Sequence, residues 1–198
     1  MTCKPKLAFL ASHNGSAARG ITTACLKYDL DYEPKLIVSN NESCSAFSWA
    51  QSYNLKKYCV NNRLTDNPDA RIAEICADQK IDLIICSGYM RLVGPETIGA
   101  VQGRILNIHP ALLPKYGGQG MYGRYVHQVV KAAGDSTTGA TVHWVDAVYD
   151  RGEIVSQKTI PVSADMSVEM IEEAVKNIEA ELYIETLKKI HKDICKAL

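Results

Sequence analysis

Two alternating patterns of apolar residues run along the chain. Short continuous runs at Leu7 to Ala11, within Asp82 to Cys86 and at Ile105 to Ile108 are bounded by polar or turn residues. Runs of this length read as strands covered on both faces. Between them, apolar residues three and four apart predict helices over Ser16 to Tyr28, Ser43 to Tyr53 and Asp69 to Gln79, the last with Ile72, Ile75 and Cys76 inward. Lys35 to Ser39 and Lys57 to Val60 supply two further strands, and Pro95 opens a short helix to Val101. A helix from Arg124 to Ala133 stops at Gly134, followed by strands at Thr138 to Val145 and Ile154 to Pro161. This alternation predicts an α/β fold, a single Rossmann-like doubly wound sheet, mostly parallel with antiparallel strands toward the C-terminal part.

A long final helix from Ser167 to about Ile194 closes the chain. Val168, Ile171, Val175, Ile178 and Leu182 give it an apolar stripe, and Glu169 near its start with Lys188, Lys189 and Lys192 near its end suit the helix dipole. Glu179 interrupts that stripe. Its spacing from Val175 and Leu182 points it inward or along a cleft edge, where an unpaired carboxylate is costly. A structural salt bridge or a ligand contact would account for it.

Composition narrows the classes. The 198 residues suit one domain, residues 1–198, and 22 basic against 22 acidic residues leave no global charge for nucleic acid or an anionic membrane. Seven cysteines without a Cys-x-x-Cys or paired Cys/His spacing predict free thiols in a reducing cytoplasm, with no disulfide scaffold and no metal site. The apolar stretch after the basic N-terminus is too short for a signal sequence, and no run approaches a membrane span. The expected partners are therefore small molecules, in a cytoplasmic protein for which monomer and homodimer both stay open.

Candidate chemistry concentrates in Ile105 to Gly118. Pro110 stops the apolar run, so Asn107 and His109 sit two apart at a strand's carboxyl end, on one face, where an open α/β sheet holds its ligand. Asn14-Gly15-Ser16 follows the first strand and opens a helix that Ser16 could cap. Such a turn is either an ordinary tight turn or an anion site built from free backbone N–H groups. Four glycines between Tyr116 and Gly123 form a loop that is either a mobile surface segment or a cover for a bound substrate. Asp150, before Arg151-Gly152, is at least a turn carboxylate. His143 reads as strand structure, and His127 and His191 as surface or helix residues.

The string Asn107-Ile-His109-Pro110-Ala-Leu112-Leu113-Pro114-Lys115-Tyr116, with Gly139-Ala-Thr141-Val142-His143 ending at Tyr149-Asp150-Arg151-Gly152, resembles the two central motifs of the folate-dependent formyltransferases. Within them it is most similar to the branch that formylates glycinamide ribonucleotide in purine biosynthesis. The resemblance runs from about Leu7 to Tyr183. It implies that 10-formyltetrahydrofolate is the co-substrate, with no metal, and that Asn107, His109 and Asp150 are catalytic. Asn107 would donate to the oxyanion, His109 when protonated would stabilise the same oxyanion and relay protons, and Asp150 would raise the pKa of His109 and support proton transfer. It also implies that Asn14, Gly15, Ser16 and Ala17 hold the ribonucleotide's phosphate, with Ala17 contributing backbone only, and that Glu179 faces its ribose or glycinamide part. Met90, Arg91, Leu92 and Val93 would hold the folate's pterin ring through backbone groups, with Asn107 and Asp146 on the same ligand. Ala147 stands where relatives are often acidic, and Gln119 and Met121 stand near a segment where many carry histidines.

Other readings share the scaffold. They are formyltetrahydrofolate deformylase, sugar amine formyltransferase, methionyl-tRNA formyltransferase and a non-catalytic folate or nucleotide-binding module. A chain ending at Leu198 leaves no room for the tRNA enzyme's second domain, and a first strand starting at once leaves none for the deformylase's regulatory domain. The binding module would not need Asn107, His109 and Asp150 together.

Overall fold

The computed structural model describes residues 3–27 and 29–198. Its core is a seven-stranded sheet in the order β3-β2-β1-β4-β5-β6-β7, formed by β1 (Lys6–Leu10), β2 (Glu33–Ser39), β3 (Lys56–Cys59), β4 (Leu83–Cys86), β5 (Ile105–His109), β6 (Thr137–Trp144) and β7 (Ile154–Pro161). The first five strands are parallel, and β6 and β7 run antiparallel to their neighbours. This is the predicted arrangement, with element ends moved by one to three residues. The Tyr28 end of the first predicted helix lies outside the described residues.

The continuous apolar runs are continuous because both sheet faces are covered. In β1, Leu7 and Phe9 enter one core cluster while Ala8 and Leu10 enter the other, as the two-residue strand period requires. The first face is packed by α1 (Ser16–Leu26), α2 (Ala46–Ser52) and α6 (Val168–Lys196). The second is packed by α3 (Pro68–Asp78) and α4 (Pro95–Ala100). Helix α5 (Arg124–Ala132) lies against α6. Tyr183 of α6 is fully buried, and its hydroxyl donates to the Cys86 carbonyl at 2.6 Å, pinning the long helix to the carboxyl end of β4.

Two expectations are corrected. Ser16 does not cap α1. Gly15 takes the capping position in the left-handed conformation (φ 56°), and the Asn14 side chain accepts from the Ser16 N–H at 3.0 Å. The cysteines are not all free: Cys3, before β1, is bonded to Cys195 in the last turn of α6. Those residues are 192 apart in sequence, so no local spacing could announce the pair. The other five remain thiols, and burial pushes that of Cys86 up to about 12. Among the described residues no helix is long and apolar enough to cross a membrane.

Candidate active site

The strand order reverses between β1 and β4, and the loops leaving their carboxyl ends part there to form a crevice. Ser12 ties the two loops together. Its N–H donates to the Gly88 carbonyl at 3.0 Å, and its hydroxyl accepts from the Met90 N–H at 2.8 Å. A cavity of about 280 Å³ opens over β5 and is lined by Asn14 and Ser16, Asn107 and His109, Asp150, and Glu179. These residues come from four separate segments of the sequence. Ala17 is not among them: it lies in the first turn of α1 with its side chain buried in the core.

Four side chains form the polar centre. The Nε2 of His109 lies 2.7 Å from the Tyr116 carbonyl, which can only accept, so Nε2 carries the hydrogen. Its Nδ1 then faces Asp150 Oδ2 at 3.4 Å. The same argument fixes His143. Its Nδ1 donates to the Trp144 carbonyl at 2.8 Å, which leaves Nε2 to accept from the Asn107 carboxamide at 3.1 Å. The carboxamide is thereby oriented, with its second N–H free for a ligand. His143 Nε2 also stands 3.5 Å from Asp150 Oδ1. His143 is therefore a member of the site rather than strand structure alone. Its place follows from the antiparallel register that sets Asn107 opposite it.

The expected effect of Asp150 on His109 is only half of the balance. The carboxylate and the Tyr116 carbonyl do raise the imidazole's pKa, but burial outweighs them and holds it below its ordinary value. Asp150 is held below the usual carboxylate range. Its burial works the other way, but His143 and His109 in their protonated forms and the Gly118 N–H, which donates to Oδ2 at 2.9 Å, outweigh it. At neutral pH the resting pair is a neutral imidazole beside a carboxylate. Nδ1 is then a proton acceptor whose protonated form Asp150 would stabilise. The Gly118 contact also anchors the start of the glycine-rich loop, and Gly118, Gly120 and Tyr122 line the cavity.

On the far wall, Glu179 makes no hydrogen bond or salt bridge among the described residues. Burial pushes its carboxyl up to about 7, with the Lys176 ammonium opposing. The structural salt bridge expected by default is absent there, because Lys176 pairs with Glu172 instead. Because ionisation is disfavoured in the folded state, Glu179 costs nothing below about 4.5, and its cost grows until the pH passes about 7. Glu179→Gln is expected to stabilise the protein at pH 8 by about 1–3 kcal/mol and to leave it unchanged at pH 4. Denaturant melts at the two pH values measure this. His127, read as a surface or helix residue, lies on helix α5 and is buried on this wall with an unpartnered Nδ1, and burial pushes it down to about 4.

The Met90 to Val93 segment borders three spaces. Met90 lines the cavity over β5. Arg91, Leu92 and Val93 line both a 60 Å³ recess shared with Asn107 and Asp146 and a larger cavity of about 930 Å³ over α3. Arg63, on the loop after β3, also lines the larger cavity. Sequence reasoning missed Arg63, because only folding brings that loop beside Arg91. Asp146 turns its carboxylate to the Val148 N–H at 2.8 Å.

Residues 5–187 match the formyl transferase family. The chain is 31% identical over 188 residues to the phosphoribosylglycinamide formyltransferase of Bacillus subtilis (strain 168), covering 93% of this chain and 94% of that protein. It is 32% identical to the chloroplastic phosphoribosylglycinamide formyltransferase of Vigna unguiculata, where it spans 94% of its own length but 61% of the relative's. The crystal structure of glycinamide ribonucleotide transformylase 1 from Geobacillus kaustophilus superposes with a TM-score of 0.87 at 30% identity, over 95% of this chain and 99% of that one. With this fold and this cleft, the chain belongs to the formyl transferase family.

Proposed function

We infer that this protein transfers the formyl group of 10-formyltetrahydrofolate to the amine of glycinamide ribonucleotide. The observation that carries this reading is the convergence of Asn107, His109 and Asp150, with His143 in contact with Asn107 and Asp150, on one cavity that the Asn14–Ser16 loop and Glu179 also line. The chemistry needs these groups. The amine nitrogen attacks the formyl carbon, forming a C–N bond and moving the carbonyl π electrons onto oxygen. The free N–H of Asn107 stabilises that oxyanion. Nδ1 of His109 takes the proton shed by the attacking amine, and Asp150 stabilises the imidazolium. When the tetrahedral intermediate collapses, the bond from carbon to the folate nitrogen breaks, and that nitrogen receives a proton from His109. The imidazole ends neutral, ready for the next turnover.

The binding walls suit two anionic ligands. The Asn14–Ser16 turn at the N-terminus of α1 suits a phosphate, with the Lys176 ammonium on the same cavity. Glu179 can accept from sugar hydroxyls. On the other side, the Met90–Val93 backbone and the recess shared with Asn107 and Asp146 suit a pterin. Arg63 and Arg91 on the adjoining cavity suit the carboxylates of a folate tail.

An absorbance assay with 10-formyltetrahydrofolate and glycinamide ribonucleotide, beside controls lacking the amine, tests the reading. Tetrahydrofolate released only with the amine is the expected result. Equal release without it would replace this reading by a deformylase, and folate binding without turnover would replace it by a binding module.

A further inference from the structure

Helix α2 lies outside the reacting centre, yet it holds the Asn14–Ser16 turn from behind through a residue with no assigned role. The indole N–H of Trp49 donates to the Asn14 carbonyl at 2.7 Å, and the ring packs edge-on against Tyr53 at 6.0 Å between centroids. One peptide earlier, the His13 carbonyl accepts from the Ala46 N–H at 3.1 Å and from the Cys44 thiol at 2.7 Å. In a trans peptide the N–H points opposite to the carbonyl of the same unit. Drawing the His13 and Asn14 carbonyls toward α2 therefore turns the Asn14 and Gly15 N–H groups the other way. Neither N–H meets a protein acceptor among the described residues. Consecutive N–H groups on one side, with a left-handed residue at Gly15 (φ 56°), make the concave anion seat that turns of this kind provide.

We propose that Trp49 is a positioning residue for the acceptor substrate's phosphate, fixing through its bond to the Asn14 carbonyl the direction in which the loop presents its N–H donors. This rests on the phosphate-loop reading above. Rotating one peptide by losing the indole bond would leave the loop in place but misaim a donor, so the loss falls on phosphate binding and not on the chemical step. Gly15 has little room to compensate. A Cβ there would lie 3.5 Å from the Trp49 ring and 3.3 Å from the Ala11 Cβ, so the turn is packed against α2 and the end of β1.

The test compares wild type with Trp49→Phe, which keeps an aromatic ring against Tyr53 and removes the donor. The probes are ribose 5-phosphate in direct binding and glycinamide ribonucleotide in turnover. Expected are a five- to tenfold weaker affinity for ribose 5-phosphate and a matching rise in KM for the ribonucleotide. The kcat should stay within about twofold and folate affinity should be unchanged. Equal ribose 5-phosphate affinity in the two proteins overturns the role of Trp49. Failure of the wild type to bind ribose 5-phosphate while it binds folate overturns the phosphate-loop reading, and the proposal with it. A fall in kcat and folate affinity alongside phosphate affinity marks Trp49 as a general structural residue and also overturns it. Should the Phe variant fail to fold, Trp144→Phe leaves Trp49 as the remaining indole of the two in the chain. Ribose 5-phosphate is then expected to change its fluorescence, and an unchanged emission at saturation overturns the proposal.

Discussion

Replacing His109 with Ala is expected to lower kcat by about two to four orders of magnitude, with KM for both substrates changed little. The imidazole is buried, its Nε2 hydrogen is committed to the Tyr116 carbonyl, and its free Nδ1 faces a carboxylate. In the proposed mechanism that arrangement serves proton transfer and contributes little to holding either ligand. Asp150→Asn should cost a comparable factor by leaving the imidazolium without its counter-charge. The double variant should lose scarcely more than the worse single one, because the pair acts as a unit. The pH profile gives a separate check. The folded-state pKa of His109 lies below the ordinary histidine value of 6.5, so the acceptor form is full at neutral pH, and the rate should fall only as the pH drops below that value. Steady-state kinetics across pH 5 to 8, on an axis spanning roughly the histidine range, measure both effects. A loss below about tenfold in His109→Ala would remove the residue from proton transfer.

Gly152→Ala is expected to carry the largest stability cost of any single methyl addition near the site. A Cβ at this position would overlap the Trp144 carbonyl oxygen, and backbone, unlike a side-chain end, cannot swing away. The penalty should be about 3 kcal/mol or more, well above that of an ordinary exposed loop substitution. Activity should fall with it, because Asp150 lies two residues away in a left-handed conformation (φ 56°) whose position sets its distances to His109 and His143. Thermal melts and turnover of the same preparation read the two losses. Gly103→Ala is the control: its added Cβ meets nothing within 4 Å, though its φ of 75° carries the backbone strain of a left-handed residue without the overlap. Equal destabilisation by the two substitutions would show that backbone conformation, and not the close approach to Trp144, decides the cost.

The sheet was legible because β1, β4 and β5 each contain a continuous apolar run, and only a sheet covered on both faces tolerates that. Asn107 and His109 were legible for the same reason, as polar residues two apart at the end of such a run. His143 was not. A histidine in an alternating strand looks like filling until the antiparallel register places it opposite Asn107. His127 and Lys176 escaped because which face of a helix borders a cavity depends on how α5 and α6 meet, which spacing within either helix does not encode. Glu179 was legible as an anomaly in the apolar stripe, and among the described residues it has no salt bridge because Lys176 pairs with Glu172. The Cys3–Cys195 bond left no trace because its partners approach only after β1 and α6 are packed together. Asp150 was readable through motif resemblance, but the downward shift at His109 required the depth of burial, which only the folded chain supplies.

The docking of Tyr183 against the end of β4 gives the last helix a place in time as well as in space. The contact joins residues 97 apart in sequence, and the same helix carries Glu179 to the cavity wall. Such distant contacts are formed late, after loop-closure entropy has been overcome. β5 and β6, with His109 and His143, can assemble before α6 arrives, but the cavity that Glu179 lines cannot close without it. During refolding, secondary structure should therefore recover ahead of activity, and the appearance of turnover marks the moment the final helix seats.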